Sequence, residues 1–384
     1  MNLKHGFSRF LSAEPDRLHF AAHSHHPWPD VSFDAQLQVW LDAATWMDDK
    51  WDHIFGTVIP TTKALIAKHL GLENGESLAF APNTHDFIVR IFSTFEPPVR
   101  VLTSDSEFHS FARQSRRWEE EGLAIVDRVP TAPFESFSER FTREARSGVH
   151  DLIFVSEVFF NSGFVVTDLE RIVSSVSQPN TLVVVDSYHS FMARPTNHGA
   201  IQDRSFILAG GYKYAMSGEG VCFLHSPAGF APRPVDTGWY AGFGQLESGV
   251  SDLVPYSEDG TRFSGATFDP SGVYRMQSVL SWLEAEGASP AVISAHVKGL
   301  QKQFLEGGVE PGLLVPGQEF EVGNFLTFET PRAAAVYRIL HDRRVITDMR
   351  GNRLRIGFGI YQDESDVERF LSILGQVLTM ARDE

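Results

Sequence analysis

Residues 183–191 read VVVDSYHSF. Three β-branched residues in succession show no alternation of apolar and polar character. The strand they form is therefore covered on both faces, as strands of a parallel sheet are. Such a strand ends on a carboxylate for one of two reasons. Either Asp186 caps the next turn, or a positive group waits at the strand end.

The same grammar repeats on both sides of this stretch. ESLAFAP (76–82), VRVLTSD (99–105), LAIVDRV (123–129), DLIFVSEVFF (151–160), TLVVVD (181–186) and SFILAGG (205–211) read as strands. HDFIVRIFSTF (85–95), FHSFARQSRRWEEEG (108–122) and TDLERIVSSV (167–176) read as helices, the last opened by a Thr167-x-x-Glu170 capping box. Apolar strands alternating with helices predict an α/β fold, a mostly parallel sheet with helices on both faces. Two further helices (272–287 and 289–306) lead to a strand in NFLTFET, a helix started by Pro331, a strand in NRLRIGFG and a helix from Ser365. That order predicts a small C-terminal α/β domain. The expected division is a large domain over 51–287 and a small one over 288–384. The N-terminal segment 1–50, rich in Trp and His, is expected to pack near the active site and the small domain.

Composition narrows the function. Of the 384 residues 42% are apolar and 21% charged, ordinary values for a globular protein. The net charge of −16 argues against nucleic-acid backbones and anionic membranes as partners. The single cysteine, Cys222, excludes an intrachain disulfide and a cysteine-only metal cage. A cytoplasmic location is expected, since no signal-peptide pattern or membrane-length apolar run is present.

Parallel α/β sheets bind ligands beyond the carboxyl ends of their strands. The segments there hold Thr84, His109, Ser156, Asn161, Asp186, His189, Tyr212 and Lys213. Lys213 is the only lysine between Lys68 and Lys298, in the apolar, Gly-rich stretch YKYAMSGEG. Burial there would lower its pKa and make a nucleophilic amine, which forms a Schiff base with an aldehyde. Pyridoxal phosphate needs such a lysine, and a carboxylate for its pyridine nitrogen. Asp186 and Lys213, at the ends of successive strands, meet both needs.

DSYHS followed by GGYKYAMSGEG resembles the Asp-x-x-His and Tyr-Lys-Tyr-x-x-x-Gly-x-Gly segments of kynureninases. These belong to the class V aminotransferase group of fold-type I pyridoxal-phosphate enzymes. The resemblance extends over almost the whole chain. It implies a seven-stranded-type sheet, a homodimer with shared active sites, and an amino-acid substrate. Asn83-Thr84 resembles the family's phosphate-contacting turn, and Phe108 the aromatic that stacks on the cofactor ring. VSEVFFNSG (155–163) is similar to the segment flanking the ring, and Gly238-Trp239 to the family's Gly-Trp. TDMRGNRLRIG (347–357) resembles the pattern supplying the substrate-carboxylate arginine, here Arg355. AAHSHHPWP (21–29) sits where the family has a substrate-proximal segment, which brings in Ser24. Lys213 would be the base, Asp186 the ring-nitrogen partner, and His189 would orient Asp186 or the ring oxygen. Tyr212 would touch the phosphate or pass a proton. RFSGATFDP lacks the Asn of the kynureninase Ser-Asn-Pro-Pro motif and is similar instead to the Gly-Thr of aminotransferases, with Thr267 reaching the partner's phosphate. Trp28, Phe108, Tyr188, Trp239 and Tyr240 would line a pocket for a bulky side chain.

The expected activity is kynureninase-like hydrolysis, with class V amino transfer as the alternative. Cysteine desulfurase is disfavoured because Cys222 lies within an apolar strand, GVCFL. A metal-dependent hydrolase using His23, His25, His26, His109, Asp186 and His189 is a rival of a different class, and a non-catalytic, partner-binding member of the fold is a third. Singly, each site residue has an ordinary explanation: Asp186 and Thr84 as caps, His189, Phe108 and Trp239 as core, Lys213 and Arg355 as surface charges. Jointly they fall where one cofactor's chemistry needs them.

Overall fold

The computed structural model describes residues 2–245, 252–307 and 311–380. Its strands are β1 (Leu18–His19), β2 (Leu78–Ala81), β3 (Val99–Ser104), β4 (Ala124–Val129), β5 (Leu152–Ser156), β6 (Leu182–Asp186), β7 (Ser205–Gly210), β8 (Cys222–His225), β9 (Phe325–Glu329), β10 (Val345–Ile346), β11 (Asp348–Arg350) and β12 (Arg353–Gly357).

Seven of them form one sheet in the order β2-β8-β7-β6-β5-β3-β4. Only β8 runs against its neighbours. Val183 and Val185 of β6 join the core on one face, and Leu182 and Val184 the core on the other. This two-sided burial is why the stretch is apolar without alternation. Each such side chain contributes about 1.5–3 kcal/mol by leaving water. One face is covered by helices Ile59–Leu70, Phe137–Arg146, Leu169–Ser175 and Ser271–Ala285. The other is covered by Thr84–Phe92 and His109–Glu120, through Phe87, Ile91, Phe111 and Trp118.

The small C-terminal domain carries a three-stranded antiparallel sheet, β11-β12-β9. Helices Pro290–Glu306, Ala333–Asp342 and Glu364–Met380 pack with it around Phe304, Leu340 and Phe370. The N-terminal segment is stitched to this domain twice: β1 pairs in parallel with β10, and Ala21 bridges to Gly357. The long helix Asp30–Trp46 lies along Ser271–Ala285, where Tyr274 Oη donates to Asp42 Oδ2 at 2.8 Å.

Two local expectations are corrected. The Thr167 capping box does not form: the helix starts at Leu169, its N-cap is Asp168, and no side chain caps it. Glu170 therefore falls in the first turn rather than at the box position. The 151–160 strand stops at Ser156, because Glu157–Gly163 turn back on themselves, with Phe159 N–H bonded to Phe164 O.

Candidate active site

The carboxyl ends of β2, β3, β5, β6 and β7 open on a cavity of about 200 Å3. Its walls include Asn83, Thr84, Phe108, Phe160, Asp186, Tyr188, His189, Tyr212 and Lys213. The side chains reach it from five separate segments, which is why only the three-dimensional fold assembles the site.

Lys213 is buried, with Nζ 2.8 Å from His189 Nε2. Its cation position lies 4.8–5.6 Å from the ring centres of Tyr188, Phe108 and Tyr212. Burial pulls its pKa down to about 7, against the pull of Asp186. Half of the amines are then uncharged near neutrality and able to attack a carbonyl. Asp186 ends β6 and accepts from Tyr188 N–H at 2.9 Å. It thus caps its own turn while facing the cavity, so both explanations of the strand-end carboxylate hold. Burial raises its pKa, while the Tyr188 N–H and Lys213 act against that rise.

His189 Nε2 meets Lys213 Nζ, and its Nδ1 has no partner among the described residues. Burial and the neighbouring Lys213 hold its pKa well below the usual histidine value. The DSYHSF turn is fixed by Glu157, which the sequence reading passed over. Glu157 accepts from Ser190 Oγ at 2.5 Å, Ser187 Oγ at 3.2 Å, Arg194 at 3.2 Å and His198 Nε2 at 3.0 Å. Burial alone would raise its pKa, but His198 and Arg194 overcome it.

A second buried acid lies under the site. Glu107 accepts from Ser104 Oγ at 2.6 Å and Ser156 Oγ at 2.5 Å, tying the ends of β3 and β5 together. Burial pushes its pKa up to about 7 despite those bonds. Ser156 is the register partner of Asp186, so this carboxyl sits one strand from the site. A buried glutamate beside a strand end would have been the sequence signal.

Asn83 Oδ1 accepts from Asp86 N–H at 3.0 Å and so caps the nine-residue helix Thr84–Phe92, whose N-terminus borders the cavity. Tyr212 is half-buried between Tyr188 and His25, at ring separations of 4.9 and 5.3 Å. Cys222 lies in β8 as expected, with its thiol on the cavity wall, and burial pushes its pKa up to about 12.

Ser24, Trp28, Trp239, Tyr240, Thr267 and Arg355 lie outside the cavity lining. Ser24 Oγ meets His25 Nδ1 at 3.3 Å, in a loop anchored by His26 N–H to Tyr212 O at 3.1 Å. Trp239 and Thr267 are exposed and bonded to each other, Nε1 to Oγ1, at 3.0 Å. Arg355 is buried, not on the surface, and donates to Asp348 Oδ2 and to the Phe160 carbonyl. Burial would raise the Asp348 pKa, but His23 and Arg355 hold it well below the usual carboxylate range. His23 and His26 are buried and His25 is exposed. Among the described residues no group of three or more His, Cys, Asp or Glu side chains is placed to hold a metal ion. No helix there is long and apolar enough to cross a membrane.

The site fits pyridoxal phosphate. A desolvated lysine faces a strand-end carboxylate, a capped helix N-terminus offers N–H donors to an anion, and His189 Nδ1 is buried without a partner among the described residues.

Comparisons with known proteins agree. The kynureninase C-terminal domain profile matches residues 294–374. An uncharacterised aminotransferase of Bacillus subtilis (strain 168), YcbU, is 24% identical over 78% of this chain and 79% of its own. The apo cysteine desulfurase of Thermococcus onnurineus NA1 superposes with a TM-score of 0.82 at 16% identity, over 99% of both chains. A C-DES lysine variant with glycine covalently linked to its PLP cofactor superposes at 0.80 and 14% identity, over 97% and 99% of the two chains. Fold and site together define a pyridoxal-phosphate-dependent enzyme of fold type I. Within that class the chain is similar to kynureninases over residues 294–374 and to the Bacillus subtilis aminotransferase over most of its length.

Proposed function

We propose that this enzyme hydrolyses a carbon–carbon bond in a kynurenine-type α-amino acid, one with a carbonyl at the γ position. The observation that carries the reading is the kynureninase C-terminal match, which spans the Asp348–Arg355 pair, beside an aromatic-walled cavity holding Lys213.

When bound, pyridoxal phosphate supplies an aldehyde for the Lys213 amine and an electron-accepting ring that makes a negative charge at Cα tolerable. Asn83, Thr84 and the helix N-terminus behind them would hold the phosphate. Phe108 would cover the ring face, and Asp186 would hold a proton at the ring nitrogen. Lys213 Nζ, once freed by the substrate amine, takes the Cα proton, and its near-neutral pKa suits a base working near pH 7. His189 Nε2 holds Nζ in place for that transfer. Arg355 binds the substrate α-carboxylate by charge-assisted hydrogen bonds. Phe108, Phe160 and Tyr188 keep bulk water from Cα.

The working form is a homodimer, in which Trp239 and Thr267 of one subunit complete the cavity of the other. Their exposure, and their absence from the cavity of their own chain, support this.

Amino transfer to a keto acid is the second reading. It is favoured by RFSGATFDP (262–270), which carries Thr267 where the kynureninase Asn is missing. One assay separates the two: kynurenine, then a panel of amino acids, each with and without a keto-acid acceptor. Release of alanine with an aromatic acid supports hydrolysis. Turnover that depends on the acceptor, with no bond cleavage, establishes transfer and rejects hydrolysis.

A further inference from the structure

Arg355 is not a free cation. Across the β11–β12 pairing it faces Asp348, and its two terminal nitrogens donate to Asp348 Oδ2 and the Phe160 carbonyl. A carboxylate arriving here meets a pair that is already neutral. Three charged groups would then share one buried place with a surplus negative charge, which a low-dielectric interior opposes strongly. Either Arg355 releases Asp348, or a proton enters.

His23 is built to receive that proton. It is fully enclosed and stacks on Phe325 at 4.6 Å. Its Nε2 lies 3.6 Å from Asp348 Oδ2, the same oxygen that Arg355 holds. Neither ring nitrogen has a hydrogen-bond partner among the described residues. The strand beside it makes room for the ring: a β-carbon at Gly357 would collide with His23 Nδ1. In the free enzyme burial pulls the His23 pKa down to about 3, against Asp348, so the ring is neutral at working pH.

We infer that His23 is a positioning residue of the carboxylate subsite, taking up one proton from solvent as the substrate carboxylate reaches Arg355, so that Arg355 keeps Asp348. The inference rests on the reading that Arg355 binds the α-carboxylate. The step forms one N–H bond on the imidazole and consumes one solvent proton, so the net charge of the filled subsite equals that of the empty one. The charged and titratable groups around His23 are Asp348 and Arg355, with Arg350 beside Asp348, together with Lys213, His189 and His19. Among these, Asp348 is the only anion, and His23 is the neutral base in line with it.

The test uses the holoenzyme and 3-phenylpropanoate, a carboxylate without an amine, so that Lys213 stays engaged. Calorimetry in two buffers of different ionisation enthalpy counts the protons taken up. About one proton per site, with Kd rising roughly tenfold per pH unit between pH 6 and 7, is the expected result. His23→Asn should bind more weakly at pH 6 and lose the pH dependence. Binding by the wild type without proton uptake overturns the inference, as does uptake that persists in the variant. If His23→Asn does not fold, the wild-type proton count still decides. Arg355→Ala separates the two layers. Unchanged binding in that variant rejects Arg355 as the clamp, whereas lost binding with no uptake in the wild type rejects His23 alone.

Discussion

At the scale of single residues, burial sets the chemistry. Lys213 and Glu107 both sit near pH 7, reached from opposite directions, because desolvation disfavours either charge. For Lys213 the reactive form is the uncharged amine. The rate at which apo-protein takes up cofactor should therefore rise through about pH 7 and level off above it, followed by visible absorbance. A rate still climbing at pH 9 would contradict the lowered pKa. Lys213→Ala should slow exchange of the substrate Cα proton by about 100- to 10,000-fold, measured by NMR in deuterated water. Glu107 works through stability. The folded chain keeps its proton up to about pH 7, and the unfolded chain loses it near the model-compound value of 4.5. Between those values the folded state binds more protons, so this group's contribution falls as pH rises. Glu107→Gln should remove that decline. Relative to wild type its stability should improve by up to about 3 kcal/mol between pH 4.5 and 7, read by urea unfolding.

At the scale of elements, the sequence was legible where packing and local preference agree. β6 reads as a strand because both its faces are core. Helix His109–Glu120 shows its apolar face through Phe111 and Trp118. Helix Asp30–Trp46 was not read, because Phe33, Leu37, Trp40 and Leu41 point outward and blur its periodicity. The Thr167 box misled because a one-residue shift of the N-cap, from Thr167 to Asp168, leaves the motif intact and the geometry absent. The Lys213–Asp186 pair could be read, since adjacent parallel strands bring their ends together. The His23–Asp348 contact could not, because nothing local links the first loop to the last hairpin. The cap at Asn83 belongs to this scale too. Asn83→Ala should cost about 1 kcal/mol of stability through the lost bond to Asp86. It should also weaken cofactor retention, as followed by equilibrium dialysis, since the same N-terminus faces the anion. Unchanged stability would mean that the frayed helix finds another cap.

At the scale of the whole molecule, large apolar side chains stand exposed along helix Asp30–Trp46 and around Trp239, with Trp40 70% accessible. A second copy of the chain would cover them. If Lys213 of one subunit works with Thr267 of the other, two inactive variants can repair each other. Lys213→Ala mixed with Thr267→Ala, unfolded and refolded together, should regain about a quarter of wild-type activity, because half the dimers are mixed and each has one intact site. No recovery, with mixed dimers present by mass spectrometry, would place both residues in the same subunit's site.

The pairing of β1 with β10 and the bridge from Ala21 to Gly357 join positions about three hundred residues apart along the chain. During synthesis the segment at 18–21 must wait for its partners until residues 345–357 have left the ribosome. The large sheet can form in the meantime, with Lys213 already in place. The loop carrying His23, and the arginine it serves, come together only once the β11–β12 hairpin has been made. A nascent chain of this enzyme should therefore be able to load its cofactor well before it can select a substrate.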